Sequence, residues 1–220
     1  MNSLLRWLLD LLYPPKCMLC HRLLESSDSS VCDGCGQGLP EYDGPLRKVP
    51  YYEKVVAPLF YEEPVRGAVL RFKFHGMQTY AGQFAAWMAV WIRDHLSGTF
   101  DVISWVPCSR RRRWTRGFDQ SELLAQELAK LLDTPVCCTL KKVKNNPKQS
   151  TLADAARRRA NVLGVYRAVQ VEQWIGKRIL IVDDVLTTGS TLSECGKVLR
   201  MAGSGDLGGA VIAAARREKE

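Results

Sequence analysis

The chain has 220 residues, 46% of them hydrophobic and 25% charged, with 31 Lys and Arg against 23 Asp and Glu for a net charge of +8. That length holds one full α/β domain and a small appendage, and the composition is that of an ordinary soluble globular protein. No apolar run approaches the length of a membrane span. The positive balance suits phosphate-rich ligands, from a phosphorylated sugar to single-stranded nucleic acid, without choosing between them.

The segment SLLRWLLDLLYPP at 3–15 is interrupted by Arg6 and Asp10, lacks a basic start and leads to no small-residue cleavage site. It reads as a short amphipathic helix rather than a secretion signal, and the expected compartment is the cytoplasm. Cys17, Cys20, Cys32 and Cys35 then form two C-x-x-C pairs with eleven residues between them. Paired thiolates on two tight knuckles surround Zn²⁺ tetrahedrally, and four sulfur ligands leave no open position, so the expected ion is structural. A pair of redox dithiols is the competing reading. His21 is a bystander beside four thiolates, and Gly34 and Gly36 supply flexibility to the second knuckle. Cys108, Cys137, Cys138 and Cys195 are scattered and read as packing residues. Residues 41–50 are polar and contain Pro and Gly, which makes them a linker. The expected domains are 1–48, an amphipathic helix with the zinc ribbon, and 49–220.

The larger domain opens with a strand within 54–64 and a helix over 65–74. Lys73 and His75, just before Gly76, place charge at that helix end, where it serves either the helix dipole or a bound pyrophosphate. A long apolar helix over 80–96 follows, then a buried strand over 101–107. Directly after it stand five arginines within seven residues, Arg110, Arg111, Arg112, Arg113 and Arg116. They read as a solvated loop at a strand's carboxyl end, where open α/β sheets bind ligands and where part of the run, Arg113 and Arg116, offers bidentate donors to pyrophosphate. Asp119, with Glu122 three residues on, is an N-cap for a helix over 120–132. Trp105 and Phe118 read as core, and Trp114 lies among the arginines as a stacking surface. The stretch 141–161 is strongly basic, with a Pro-interrupted loop in its first half and a helical turn at 154–162. A strand is expected over 164–171.

The most specific stretch is RILIVDDVLTTGST at 178–191. Residues 179–182 form a β-branched apolar run suited to a buried parallel strand that ends at Asp183 and Asp184. A helix follows over 192–201, with Gly203 to cap it. Between strand and helix, Thr187, Thr188, Ser190 and Thr191 supply hydroxyl donors and Gly189 permits close approach, at the positive end of a helix where phosphate binds. A carboxylate accepts two hydrogen bonds from a diol, so the two acids suit the hydroxyls of a sugar whose phosphate lies on the turn. A last strand is expected over 208–215. Strands alternating with helices imply an α/β fold with a doubly wound, mostly parallel sheet and its site at the carboxyl edge.

The turn closely resembles the phosphoribosyl pyrophosphate (PRPP) motif of type I phosphoribosyltransferases. Together with VPCSRRRRWTRGFDQSELLA and KQSTLADAARRRANVLGVY upstream, the chain resembles the ComF family over nearly its whole length. The resemblance implies an N-terminal zinc ribbon joined to a phosphoribosyltransferase domain over 49–220, and a part in natural competence, DNA uptake or the use of DNA as nutrient. It implies Asp183 and Asp184 as the catalytic pair on the ribose, and Thr187, Thr188, Gly189, Ser190 and Thr191 on the 5′-phosphate. Arg113, Arg116 and Lys73 fall to the pyrophosphate, with Mg²⁺ carried by the substrate and transfer to a nitrogen nucleophile. A flexible loop closes over such sites, and both 110–116 and the basic stretch after 141 are placed to be it. The alternative is a non-catalytic module that binds single-stranded DNA or DNA-uptake proteins. The family's usual Asn is replaced by Asp119, which keeps the cap but removes an N–H donor.

Overall fold

A computed structural model describes residues 14–143 and 164–216. The helix expected over 3–15 and the helical turn at 154–162 lie essentially outside these residues. The core is a parallel sheet whose central strands are β6 (Ile179–Leu186) and β7 (Leu207–Ala214). Strand β3 (Val102–Trp105) pairs with β6, and β1 (Lys54–Val56) and β2 (Leu59–Phe60) pair in succession along the other edge of β7. A separate antiparallel pair joins β4 (Leu140–Lys142) to β5 (Tyr166–Ala168).

Alternation along β6 sends its residues to two cores. Leu180 and Val182 pack with α2 (Val65–Phe74), α3 (Tyr80–His95) and α5 (Gln120–Leu132), through Ala68, Phe72, Phe84, Met88, Leu124 and Leu128. Ile179 and Ile181 point the other way, onto Leu192, Cys195 and Leu199 of α6 (Ser190–Met201) and onto Trp174. Helices on both faces explain why β6 and β7 read as continuous apolar runs rather than alternating ones. Each fully buried large side chain of this kind contributes about 1.5–3 kcal/mol.

The helices expected over 65–74 and 120–132 have those bounds. Asp119 caps the second: its Oδ1 accepts from the Ser121 N–H at 3.2 Å and its Oδ2 from the Cys108 N–H at 2.7 Å. Both contacts need an acceptor only, so a carboxylate serves here without an amide donor. The arginine run departs from expectation. It is not a loop but a helix, α4 (Arg110–Arg116), closed by Ser109, whose Oγ accepts from the Arg112 N–H, and by Gly117 at φ 81°. β6 also departs, continuing four residues past Val182 because β7 supplies a backbone partner as far as Ala214. The strand expected over 164–171 is shorter and gives way to a 3₁₀ turn at Val171–Gln173.

The segment expected to be a linker is pinned along the sheet edge. Glu41 bridges to Leu59, Arg47 bridges to Val55, and the Arg47 guanidinium donates to the Ala215 carbonyl. The cysteine-rich segment is docked as well. Met18 is fully buried in the same core as Val65 and Phe72, and the Arg71 guanidinium donates to the carbonyls of Met18 at 2.8 Å and Leu19 at 2.9 Å.

Two glycines in β7 mark how tightly the layers meet. A Cβ on Gly208 would sit 2.5 Å from Cζ of Phe100, and one on Gly209 would sit 2.8 Å from Cγ2 of Val55. Replacing Gly208 with Ala is expected to cost about 1–3 kcal/mol by overpacking. Urea unfolding checks this, and a loss below about 0.5 kcal/mol would mean that Phe100 swings aside freely.

Candidate functional site

β6 carries Asp183 and Asp184 into a cavity of about 410 Å³ at the carboxyl end of the sheet. Small-molecule sites commonly fall within about 300–1,000 Å³. The cavity is walled by the 187–191 turn, by Arg112 and Arg116 of α4, by Gln120 and Ser121 of α5, by Lys73 and Phe74 of α2, and by Lys142, Tyr166 and Tyr61.

Asp183 is the most constrained group in it. Its Oδ1 accepts from the Asp184 N–H at 2.9 Å and from the Ser121 hydroxyl at 3.2 Å. Burial, and then the adjacent Asp184 carboxylate, push its carboxyl from the ordinary 3.8 up to about 7. Lys73 Nζ lies 2.9 Å from Asp184 Oδ1, and both side chains are largely buried. The charge expected to face a pyrophosphate therefore rests on Asp184 in the free protein. Gln120 ties the same corner together, donating through Nε2 to the Lys73 carbonyl at 3.3 Å and accepting from Arg116 through Oε1. The Arg116 guanidinium also lies 4.6 Å from the ring centre of Phe74.

The turn that joins β6 to α6 lines the cavity with Thr187, Thr188, Gly189, Ser190 and Thr191. Gly189 takes a left-handed backbone at φ 76°, with Val49 packed against it. A Cβ there would press on Val49 at 3.2 Å, and the left-handed backbone itself favours glycine. Thr188 Oγ1 and Ser190 Oγ lie 2.7 Å apart, and Thr188 Oγ1 accepts from the Ser190 N–H.

Helical spacing decides which arginines reach the cavity. Arg112 and Arg116 stand four apart on one side of α4 and line it. Arg113 does not: it faces α5, with its Nη2 3.2 Å from Glu122 Oε2. Lys142 belongs to the basic stretch the sequence offered as a loop over the site, but Tyr166 had no signal; the two meet because β4 and β5 pair at that register. Arg112 was legible in principle, because Ser109 and Gly117 bracket a seven-residue helix and fix the face.

The four cysteines of the N-terminal segment form a second cluster. Their sulfurs all lie within 4.8 Å of one another, with Cys20 and Cys32 3.7 Å apart. A tetrahedral zinc about 2.3 Å from each sulfur separates the sulfurs by about 3.8 Å, so the set fits that ion. Burial raises the Cys17 thiol, but backbone N–H groups, that of Cys32 among them, outweigh it and bring the thiol down to about 6, which favours a thiolate ligand. His21 is outside the cluster; its N–H closes the first knuckle onto the Cys17 carbonyl at 2.9 Å, with φ 65°. The second knuckle is the short helix α1 (Asp33–Gln37), and its glycines keep ordinary negative φ rather than special flexibility.

Comparison with known proteins agrees with this geometry. Residues 119–220 match the phosphoribosyl transferase domain, and residues 8–47 match the double zinc ribbon domain. Competence protein F of Haemophilus influenzae is 33% identical over 197 residues, covering 85% of each chain. The chain belongs to the ComF family. Within it, the DNA utilization protein YhgH of Escherichia coli K12 is 28% identical, covering 86% of this chain and 85% of its own. Competence protein ComFC of Streptococcus pneumoniae is 25% identical, covering 86% and 77%. Among solved structures, adenine phosphoribosyltransferase from Thermoanaerobacter pseudethanolicus aligns at 17% identity with a TM-score of 0.39, covering 78% of this chain and 95% of that one. By its own topology and the two domain matches, this ComF protein is α/β, with a mostly parallel sheet and a four-cysteine ribbon suited to structural zinc. Residues 8–47 hold four cysteines, enough for one tetrahedral ion. Among the described residues, no helix is long and apolar enough to cross a membrane.

Two outcomes follow. A carboxyl whose pKa rises on folding holds its proton more tightly in the native state. Its contribution to stability is therefore complete below its unfolded value and is lost as pH rises through about 7. Thermal melts at about pH 5 and about pH 8 should show Asp183→Asn gaining on wild type at the alkaline end, and parallel profiles would contradict the raised value. Purified protein should carry about one zinc per chain by elemental analysis, and Cys35→Ser should lose it.

Proposed function

We propose that this ComF protein binds PRPP with Mg²⁺ in the β6 cavity and transfers its phosphoribosyl group to a nitrogen acceptor, in the service of DNA uptake or use. One observation carries the reading. A half-buried pair of carboxylates and a hydroxyl-rich turn at a helix start share a single cavity with four cations. In this reading the 187–191 turn holds the 5′-phosphate through its hydroxyls and the backbone at the start of α6. Asp183 and Asp184 take the ribose hydroxyls, and Lys73, Arg112, Arg116 and Lys142 surround the pyrophosphate. Mg²⁺ fits as an ion carried by the substrate, because it keeps oxygen ligands of phosphate and water and asks little of a protein whose Asp184 is already paired. It would supply charge neutralisation at the leaving group. The cations do the same work from the protein side, lowering the barrier by stabilising charge that develops on the departing pyrophosphate. Arg113, engaged with Glu122, serves better as a prop for α4 than as a ligand.

The names of the relatives, competence protein F and DNA utilization protein, support the DNA-related role. Titration calorimetry with PRPP and Mg²⁺ tests the pocket. Asp184→Asn should lower affinity by at least about tenfold while leaving the fold intact, since it removes a charged hydrogen-bond acceptor. Unchanged affinity would remove the assignment.

A second reading, a DNA-binding surface, has its own observation. Trp114 is 91% exposed on the side of α4 that bears Arg110, Arg111 and Arg113. A bare indole among guanidinium groups is a stacking platform for single-stranded nucleic acid. Trp114→Ala should weaken oligothymidylate binding by about 1–3 kcal/mol, and affinity should fall steeply with salt. No binding at low salt would eliminate this reading.

A further inference from the structure

A second cavity, of about 560 Å³, lies on the far edge of the sheet between the 42–48 segment and the end of β7. Its walls are Tyr42, Pro45 and Leu46 on one side and Phe60 and Arg216 on the other, with Arg47 and Lys48 contributing to the lining. None of these residues belongs to the β6 site. Tyr42 and Phe60 form an aromatic pair with ring centres 4.8 Å apart and planes inclined at 45°, which gives the cavity an angled apolar wall.

Its charge is unbalanced. Arg216 is already satisfied, since its Nε and Nη2 donate to Glu62 at 2.8 and 3.0 Å while its guanidinium lies 3.8 Å from the Phe60 ring centre. Arg47 is not. It is 8% exposed and its guanidinium lies 5.7 Å from the Tyr42 ring centre; among the described residues its one acceptor is the Ala215 carbonyl, and its Nε is buried with no hydrogen-bond partner. No described carboxylate forms an ion pair with Arg47 or with the exposed Lys48 beside it. A buried guanidinium that lacks an anion is costly, and proteins ordinarily pair it.

We propose that this cavity is a second binding site, for a small organic anion that sets a phosphate or carboxylate on Arg47 and Lys48 and a flat apolar body against Pro45, Leu46 and the Tyr42–Phe60 pair. Arg47 supplies a planar fork for the anion's oxygens, and Lys48 adds a mobile point charge at the mouth. The size and wall suit a single ring with its acidic group, not an extended polymer. This assignment stands whether or not the β6 cavity binds PRPP.

Phenyl phosphate is the simplest probe with both parts. Calorimetric titration of the zinc-loaded full chain should show binding in the micromolar to millimolar range, weakened about tenfold in Lys48→Gln by loss of one charged hydrogen bond. Lys48 is exposed, so that variant folds; Arg47→Gln should abolish binding but tests folding as well. A Thr188→Ala, Asp184→Asn variant, altered only in the β6 cavity, should bind the probe as wild type does. Inorganic phosphate should compete at least about tenfold more weakly than phenyl phosphate, because it buries no ring. Failure of wild type to bind would overturn the proposal. So would binding insensitive to Lys48→Gln and lost in the Thr188→Ala, Asp184→Asn variant, which would place the probe in the β6 cavity. Equal affinity for inorganic phosphate would refute the apolar half of the site.

Discussion

Two carboxylates side by side at the end of a buried strand repel each other, and the rest of the site is arranged around that repulsion. β6 cannot relieve it by turning aside, because β7 holds its backbone in register beyond the acids. The chain relieves it chemically. One acid keeps its proton near neutral pH and accepts from Ser121, while the other takes the charge of Lys73. That solution draws the start of α5 and the end of α2 to the same point. The convergence of helix ends on a strand end is what creates a cavity at all.

The surrounding cations then acquire their own logic. Arg112, Arg116, Lys73 and Lys142 outnumber the two acids, so the cavity is short of negative charge when nothing is bound in it. Burial, and then the neighbouring Arg112, weaken the hold of Lys142 on its proton, and the Asp183 charge partly restores it. A polyphosphate bound as proposed would bring the missing negative charge. Such a site gains affinity by relieving repulsion as well as by forming contacts.

Much of this was written in the sequence, and what was hidden was hidden for physical reasons. The bounds of the 65–74 and 120–132 helices were legible because a glycine follows one shortly after its end and Asp119 caps the other. The turn at 187–191 was legible because strand, acids, hydroxyls and glycine occur in unbroken order. α4 was not, because five like charges argue against a helix locally, and only the brackets of Ser109 and Gly117 argue for one. Reading it as a loop concealed the face that separates Arg112 from Arg113. Lys142 was marked only as part of a basic stretch, and Tyr166 lay beyond any local signal, since an antiparallel pairing across more than twenty residues brings the two in. The boundary near residue 48 concealed how firmly Met18 and Arg47 tie the N-terminal segments to the sheet.

α2 is a single rigid rod with two occupations at one end. Arg71 grips the first cysteine knuckle through two carbonyls, and Lys73, two residues on, grips Asp184. The ribbon and the cavity therefore lean on the same half-turn of helix. Coupling between two ligands through a shared element is reciprocal. Whatever free energy a ligand in the cavity draws from the metal's presence, the metal must draw equally from the ligand. A ligand that binds the metal-loaded protein more tightly than the metal-free one would, by the same factor, make the metal harder for a chelator to remove at equilibrium, and the ribbon would then report on what the cavity holds.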